Sequence, residues 1–172
     1  NYNNVILPRQ PGSALKPFLY ALALEDGWTA ATPISDTPLS RPVGHGLHRI
    51  RNYSNIHYGS VRLREALGNS LNVPAIRTVE FVGTGRLLER LKLAGFTSLS
   101  KQSDFYGEGL ALGNGEVTLL ELVGGYSALA RGGLYLPPSL LLEGDSAPPQ
   151  PKQVFDPQAV SLISDILSDP NA

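Results

Sequence analysis

The stretch "PRQPGSALKPFLYALALE", running from Pro8 to Glu25, decides how the rest of the chain is read. Leu15, Phe18, Leu19, Leu22 and Ala23 recur at the three- and four-residue spacing of one buried face, so a helix is expected from near Ser13 to Gly27. Pro17 falls in its first turn, where the missing N–H would have had no intrahelical partner. Ser13 and Lys16 stand three residues apart, and therefore on one side of that helix. A serine hydroxyl is a weak nucleophile until a base takes its proton, and a lysine serves as base only once burial or neighbouring donors have lowered its own pKa. The start of the helix also aims backbone N–H groups toward the serine, where the oxyanion of an acyl transfer needs them.

Ser-x-x-Lys is short, and the same residues equally describe an N-cap followed by a solvated lysine. Two features point toward chemistry. The lysine interrupts an apolar run, and a second polar pair, Ser70 and Asn72 in "ALGNSLNVPA", follows at the junction of two helices. A second hydroxyl and an amide suit proton relay and the binding of a substrate amide, although Ser-Leu-Asn is also an ordinary helix C-terminal cap.

Composition narrows the classes. A length of 172 residues fits one domain able to bury a single core and to fold alone. With 42% apolar residues, 17% charged residues and a net charge of -1, neither disorder nor a nucleic-acid partner is indicated. The absence of cysteine removes disulfides, thiol nucleophiles and cysteine-based zinc sites, and leaves the compartment open. No apolar run approaches the roughly 20 residues that cross a bilayer. The start, "NYNNVILPRQ", has neither a basic leader nor an initiator methionine, so the chain reads as part of a longer protein with any signal or anchor upstream.

Beyond the first helix, residues 28–58 lack a sustained period and read as a long surface loop. Ser60 resembles an N-cap for "VRLREALGNSLN", in which Glu65 is placed to pair with Arg62 or Arg64. Pro74 opens a helix that stops at Gly83, and another ends at Gly95. The glycine-rich "SKQSDFYGEGLALGNGEV" reads as loop, "TLLELVGGYSALARGG" as a helix capped by Thr118 and closed by Gly132 and Gly133, and "LYLPP" as a short strand. Residues 143–155 read as a mobile connection before a last helix capped by Asp156.

Taken together, "PGSALKPF", "NYSNIHYGSVRLREALGNSLNVPA" and "GEVTLLELVGGYSALARGG" resemble the transpeptidase domain of a class A penicillin-binding protein, nearest to the 1C type. Ser-x-x-Lys is a signature of these enzymes and of class A β-lactamases. The resemblance covers the chain from about Pro8 to Asp169. It implies an α+β fold represented mainly by its helical lobe, with most of the five-stranded sheet missing, so that residues 1–172 form a partial transpeptidase domain. It implies that Ser13 is the acyl-accepting nucleophile, Lys16 its proton acceptor, Ser70 the relay to the leaving amine, and Asn72 a binder of the donor peptide's backbone amide. The implied ligands are peptidoglycan stem peptides ending in D-Ala-D-Ala and the β-lactams that imitate them, with no cofactor. The implied setting is extracytoplasmic, in a parent protein with a membrane anchor and a linked glycosyltransferase domain.

The family's third motif, Lys-Thr-Gly, does not occur. The lysines are Lys16, Lys92, Lys101 and Lys152, and none precedes Thr-Gly. The resemblance places that motif on a strand after the last helix, so the chain is expected to stop before it, which puts the activity of this stretch alone in question. Two rival readings stand beside the transpeptidase: a catalytically silent module that binds peptide, β-lactam or a partner, and a D,D-carboxypeptidase or β-lactamase in which water replaces the acceptor amine. His45, His48 and His57 share the long loop, but no acidic cluster of matching spacing accompanies them, and no metal site is assigned. Tyr20 and Tyr126 read as core aromatics.

Overall fold

In the computed structural model, residues 3–43, 46–139 and 150–172 are described. Gly12–Leu15 form a 3-10 turn that leads directly into helix α1, Lys16–Glu25. The sequence predicts one buried face here. Instead every residue from Leu15 to Leu24 is buried, because other helices pack around the whole circumference of α1. Phe18 anchors this core through edge contacts with Phe96 and Tyr126, at ring separations of 5.2 and 5.3 Å, and a tilted contact with Phe155 at 5.9 Å. Tyr20 is wholly buried and Tyr126 partly so, in keeping with core aromatics.

The segment 28–58 is more ordered than its composition suggests. It holds strands β1, Pro33–Asp36, β2, Leu39–Val43, and β3, Gly46–Ile50, which precede β4, Gly59–Arg62. β2 and β3 form an antiparallel hairpin, and β1 pairs antiparallel with β4. These strands are four or five residues long and rich in Pro, Ser and Gly, so their apolar alternation is too brief to register as a period. Ser60 lies within β4 opposite Ser35, and therefore caps nothing. The next helix, α2, Leu63–Gly68, starts later, after Arg62. Glu65 reaches back to the Arg62 backbone N–H at 2.8 Å and to its guanidinium at 2.7 Å.

Helix α3, Asn72–Val82, begins ahead of Pro74 and ends at Gly83, and α4, Thr84–Leu93, follows at once. The glycine-rich stretch, predicted as loop, contains the one-turn helix α5, Ser103–Tyr106, and a 3-10 turn, Gly107–Leu112. Helix α6, Leu119–Ala130, has the expected start: Thr118 Oγ1 accepts from the Glu121 N–H at 3.1 Å while Glu121 Oε2 accepts from the Thr118 N–H at 2.9 Å. Strand β5, Leu134–Tyr135, pairs with β6, Lys152–Gln153, and α7, Pro157–Ser168, is capped by Asp156. Of the connection read over 143–155, the part up to residue 149 lies outside the described residues and the remainder includes β6.

The fold is α+β and mainly helical, as the sequence predicts, and among the described residues no sheet exceeds two strands. No helix among them is long and apolar enough to cross a membrane. Long-range ion pairs tie the helices together. Arg64 of α2 donates to Asp165 and Asp169 at the end of α7, both at 2.8 Å. Glu25 at the end of α1 accepts from Arg90 of α4 at 2.8 Å and from the Asp156 N–H at 2.9 Å.

Candidate active site

Lys16 opens α1 inside the core, with 1% of its surface exposed. Its Nζ donates to the Ser70 carbonyl oxygen at 2.6 Å, to Asn72 Oδ1 at 2.8 Å and to Ser70 Oγ at 3.2 Å. Burial lowers its pKa from the ordinary 10.5 to about 8. An ammonium has three hydrogens, and these three acceptors engage all of them. On losing a proton, the amine can keep its two shorter hydrogen bonds and turn its lone pair toward a hydroxyl. The arrangement thus allows the charged form yet leaves a place for the neutral one.

Ser70 owes its position to the way α2 ends. The Leu71 N–H donates to the Ala66 carbonyl at 2.9 Å and the Ser70 N–H to that of Leu67 at 2.9 Å, the paired bonds of a Schellman cap. The left-handed residue such a cap requires is usually glycine; here it is Ser70, with φ at 52°. The two readings of Ser-Leu-Asn therefore coincide: the cap is real, and its strained residue presents a hydroxyl to Lys16. Asn72 is the first residue of α3. Its Nδ2 donates to the Arg51 carbonyl at 2.8 Å, and its backbone N–H to Asn52 Oδ1 at 2.8 Å.

Ser13 lies in the 3-10 turn rather than in the α-helix, and its side chain is exposed. The Lys16 N–H donates to the Ser13 carbonyl, which joins the two residues across one turn. Among the described residues, no hydrogen bond is made by Ser13 Oγ. The turn itself is firmly held. Tyr126 donates its hydroxyl to the Ala14 carbonyl at 3.0 Å, and Arg9 exchanges two backbone hydrogen bonds with Val117, both at 2.9 Å. The backbone of Gly113, with φ at 75°, lies so close to that of Gly12 that a Cβ would sit 2.2 Å from the Gly12 oxygen.

Of the four residues predicted from sequence, the structure joins Lys16, Ser70 and Asn72 by direct hydrogen bonds and places Ser13 one turn ahead of Lys16. Sequence reasoning missed Asn52 and Gly113. Asn52 stands within a quoted motif, but nothing local distinguishes it from a loop asparagine. Gly113 belongs to the glycine-rich stretch read only as loop. A cavity of about 770 Å³ opens beside Asn72, bordered by Arg41, Arg51, Ile76 and Phe105. Arg41 on its rim pairs with Glu80 and with Glu108, the latter at 2.9 Å. His45 lies outside the described residues, as does the His48 side chain; His57 Nδ1 is 3.7 Å from Asp36. Among the described residues no cluster of three or more His, Asp or Glu could hold a metal ion.

The family described as "Penicillin binding protein transpeptidase domain" matches residues 3–170. Penicillin-binding protein 1A of Pseudomonas aeruginosa is 34% identical over 173 residues, covering 98% of this chain and 21% of that protein. Its counterpart in Neisseria flavescens is 33% identical over 183 residues, covering 94% of this chain and 22% of that protein. The chain therefore spans about a fifth of the length of these curated relatives. Both carry the designation 1A, where the resemblance of the motifs leads to the expectation of the 1C type. Among solved structures, penicillin-binding protein 1A from Haemophilus influenzae matches with a TM-score of 0.84 at 25% identity, over 99% of this chain and 32% of that one. An imipenem acyl-enzyme complex of penicillin-binding protein A from Mycobacterium tuberculosis matches with a TM-score of 0.79 at 19% identity, over 96% of this chain and 44% of that one, a likeness of fold.

Proposed function

Because this chain belongs to the penicillin-binding protein transpeptidase family, we propose that it carries the nucleophile, base and relay of a peptidoglycan D,D-transpeptidase, a serine acyltransferase that cross-links stem peptides. The observation that carries this reading is Lys16: a lysine buried in the core, lowered to about 8, and held by Ser70 and Asn72 one turn from an exposed serine.

In this mechanism Ser13 Oγ attacks the carbonyl carbon between the two terminal D-alanines while its proton passes to neutral Lys16 Nζ. The carbon–nitrogen bond then breaks, Ser70 relays the proton to the departing D-alanine amine, and an ester to Ser13 remains. An amine of a neighbouring strand attacks that ester, forms the new amide and returns a proton to Ser13. Asn72 Nδ2 has two hydrogens, of which Arg51 takes one; the other is left for the donor peptide's backbone carbonyl. A β-lactam follows the first half of this sequence, but its ring nitrogen stays tethered and the ester persists. In this reading the parent protein acts outside the cytoplasm, anchored to the membrane and linked to a glycosyltransferase domain.

A second reading is a silent module that binds peptide or β-lactam without being acylated. One experiment separates the two. The chain and its Ser13→Ala variant are incubated with a penicillin and their intact masses measured. A penicilloyl adduct present on the parent chain and absent from Ser13→Ala is the expected result. No adduct on the folded chain, nor on a longer chain extended through the following strand, would overturn the enzyme reading in favour of the silent module.

A further inference from the structure

We propose that Asn52, anchored on the buried Asp36, is a positioning residue that fixes Asn72 and the first turn of α3 against Lys16. The proposal rests on the roles given above to Lys16 and Asn72, and goes beyond them to a residue from a different part of the chain.

Helix α3 has no cap of its own. The residue before it is Leu71, whose side chain offers no acceptor, so the first N–H groups of the helix lack a local partner. Asn52 supplies one from the end of the β2–β3 hairpin: its Oδ1 accepts from the N–H groups of Asn72 at 2.8 Å and Val73 at 3.3 Å. The other end of the same amide is fixed as tightly. Nδ2 donates to both carboxylate oxygens of Asp36 at 2.9 Å and to the Ile56 carbonyl at 2.9 Å. Turned over, the amide would set its oxygen against a carboxylate and a carbonyl, and its NH2 against two N–H groups, so only one orientation is compatible with these neighbours.

Asp36 is wholly buried and Asn52 is 3% exposed. A buried carboxylate needs donors on every side. Asp36 has the Asn52 amide and the Tyr58 N–H, both at 2.9 Å, while His57 Nδ1, 3.7 Å away, makes no hydrogen bond to it. This cluster is held by strand β1, which carries Asp36, and by the segment leading into β4. Its effect on the site is direct. Arg51 and Asn52 together grip Asn72, one through its side-chain Nδ2 and the other through its backbone N–H, and Oδ1 is then left facing Lys16. Without that grip Asn72 could rotate, and Lys16 would lose a fixed acceptor.

The test compares this chain with its Asn52→Ala variant by amide hydrogen exchange and by an NMR titration of the Lys16 side-chain nitrogen. Exchange at Asn72 and Val73 is expected to accelerate at least ~10-fold, while Gly83, bonded at the far end of the same helix, changes less than ~2-fold. The Lys16 midpoint is expected to fall further below its parent value, because the ammonium has lost an acceptor. Unchanged exchange at both amides in a folded variant would overturn the proposal. Faster exchange with an unmoved Lys16 midpoint would overturn it too, leaving Asn52 as a helix cap only. Should Asn52→Ala fail to fold, Asp36→Asn, which keeps volume and shape and exchanges one oxygen for an NH2, is read by the same two criteria. Neither readout requires acylation, so a chain that passes both yet takes no penicillin would tell against the enzyme reading alone.

Discussion

Lys16 is where burial and chemistry meet. A lysine ammonium in a core is disfavoured by desolvation, and its pKa falls to about 8 from the 10.5 it would have in water. The same shift links its charge to folding. Below about pH 8 the lysine is protonated whether the chain is folded or not, and the cost of burying the charge is present in full. Between about 8 and 10.5 the unfolded chain holds more protons than the folded one, so the contribution of this group to stability improves as pH rises through that window. In urea unfolding at pH 7.5 and 9.5, the Lys16→Met variant, which has no charge to bury, is expected to lack that gain relative to the parent chain. An identical pH response of the two proteins would show that Lys16 is not desolvated.

At the scale of elements, the junction between α2 and α3 combines a cap with the hydroxyl proposed as proton relay. Ser70 is held at φ 52°, a conformation that is costly for any residue with a Cβ. Ser70→Gly is therefore expected to raise stability by about 1 kcal/mol, measured by urea denaturation, while removing the hydroxyl 3.2 Å from Lys16 and slowing penicillin acylation. A variant both less stable and equally reactive would contradict the dual role. These junctions also show what a sequence discloses. The cluster of Lys16 with Ser70 and Asn72 was legible because each stands, like Ser13, in a short local pattern of polar groups. Gly83, Gly95, Thr118 and Asp156 were legible as helix punctuation for the same reason. β1, β2 and β3 were not, because strands of four or five residues acquire meaning only through partners distant in sequence. Asn52 was hidden by the same cause: it becomes a cap only when the fold brings it beside Asn72, twenty residues downstream.

For the molecule as a whole, the site is not an appendage. Lys16 enters the core with α1 while Ser13 stays exposed on the turn ahead of it, Ser70 and Asn72 frame the junction beside Lys16, and Asp36 and Asn52 approach from the strand region. Phe18, in contact with Phe96, Tyr126 and Phe155, belongs to the same packed interior as Lys16. Phe18→Ala is expected to cost about 3–5 kcal/mol, with the fluorescence of the single tryptophan, Trp28, and the helical circular dichroism falling in one coincident transition. Separate transitions would mean that the strand region and the helices are independent units and that the site straddles their boundary.

The most direct measurement is the titration of Lys16 itself, followed by NMR of its side-chain nitrogen in the folded chain and identified by its absence from Lys16→Met. A midpoint near 8 is expected if Lys16 is the buried, preorganised base of the site. A midpoint at the ordinary 10.5 would mean that water reaches the ammonium and that a neutral amine is too scarce at physiological pH to activate Ser13, which would contradict the role given to Lys16.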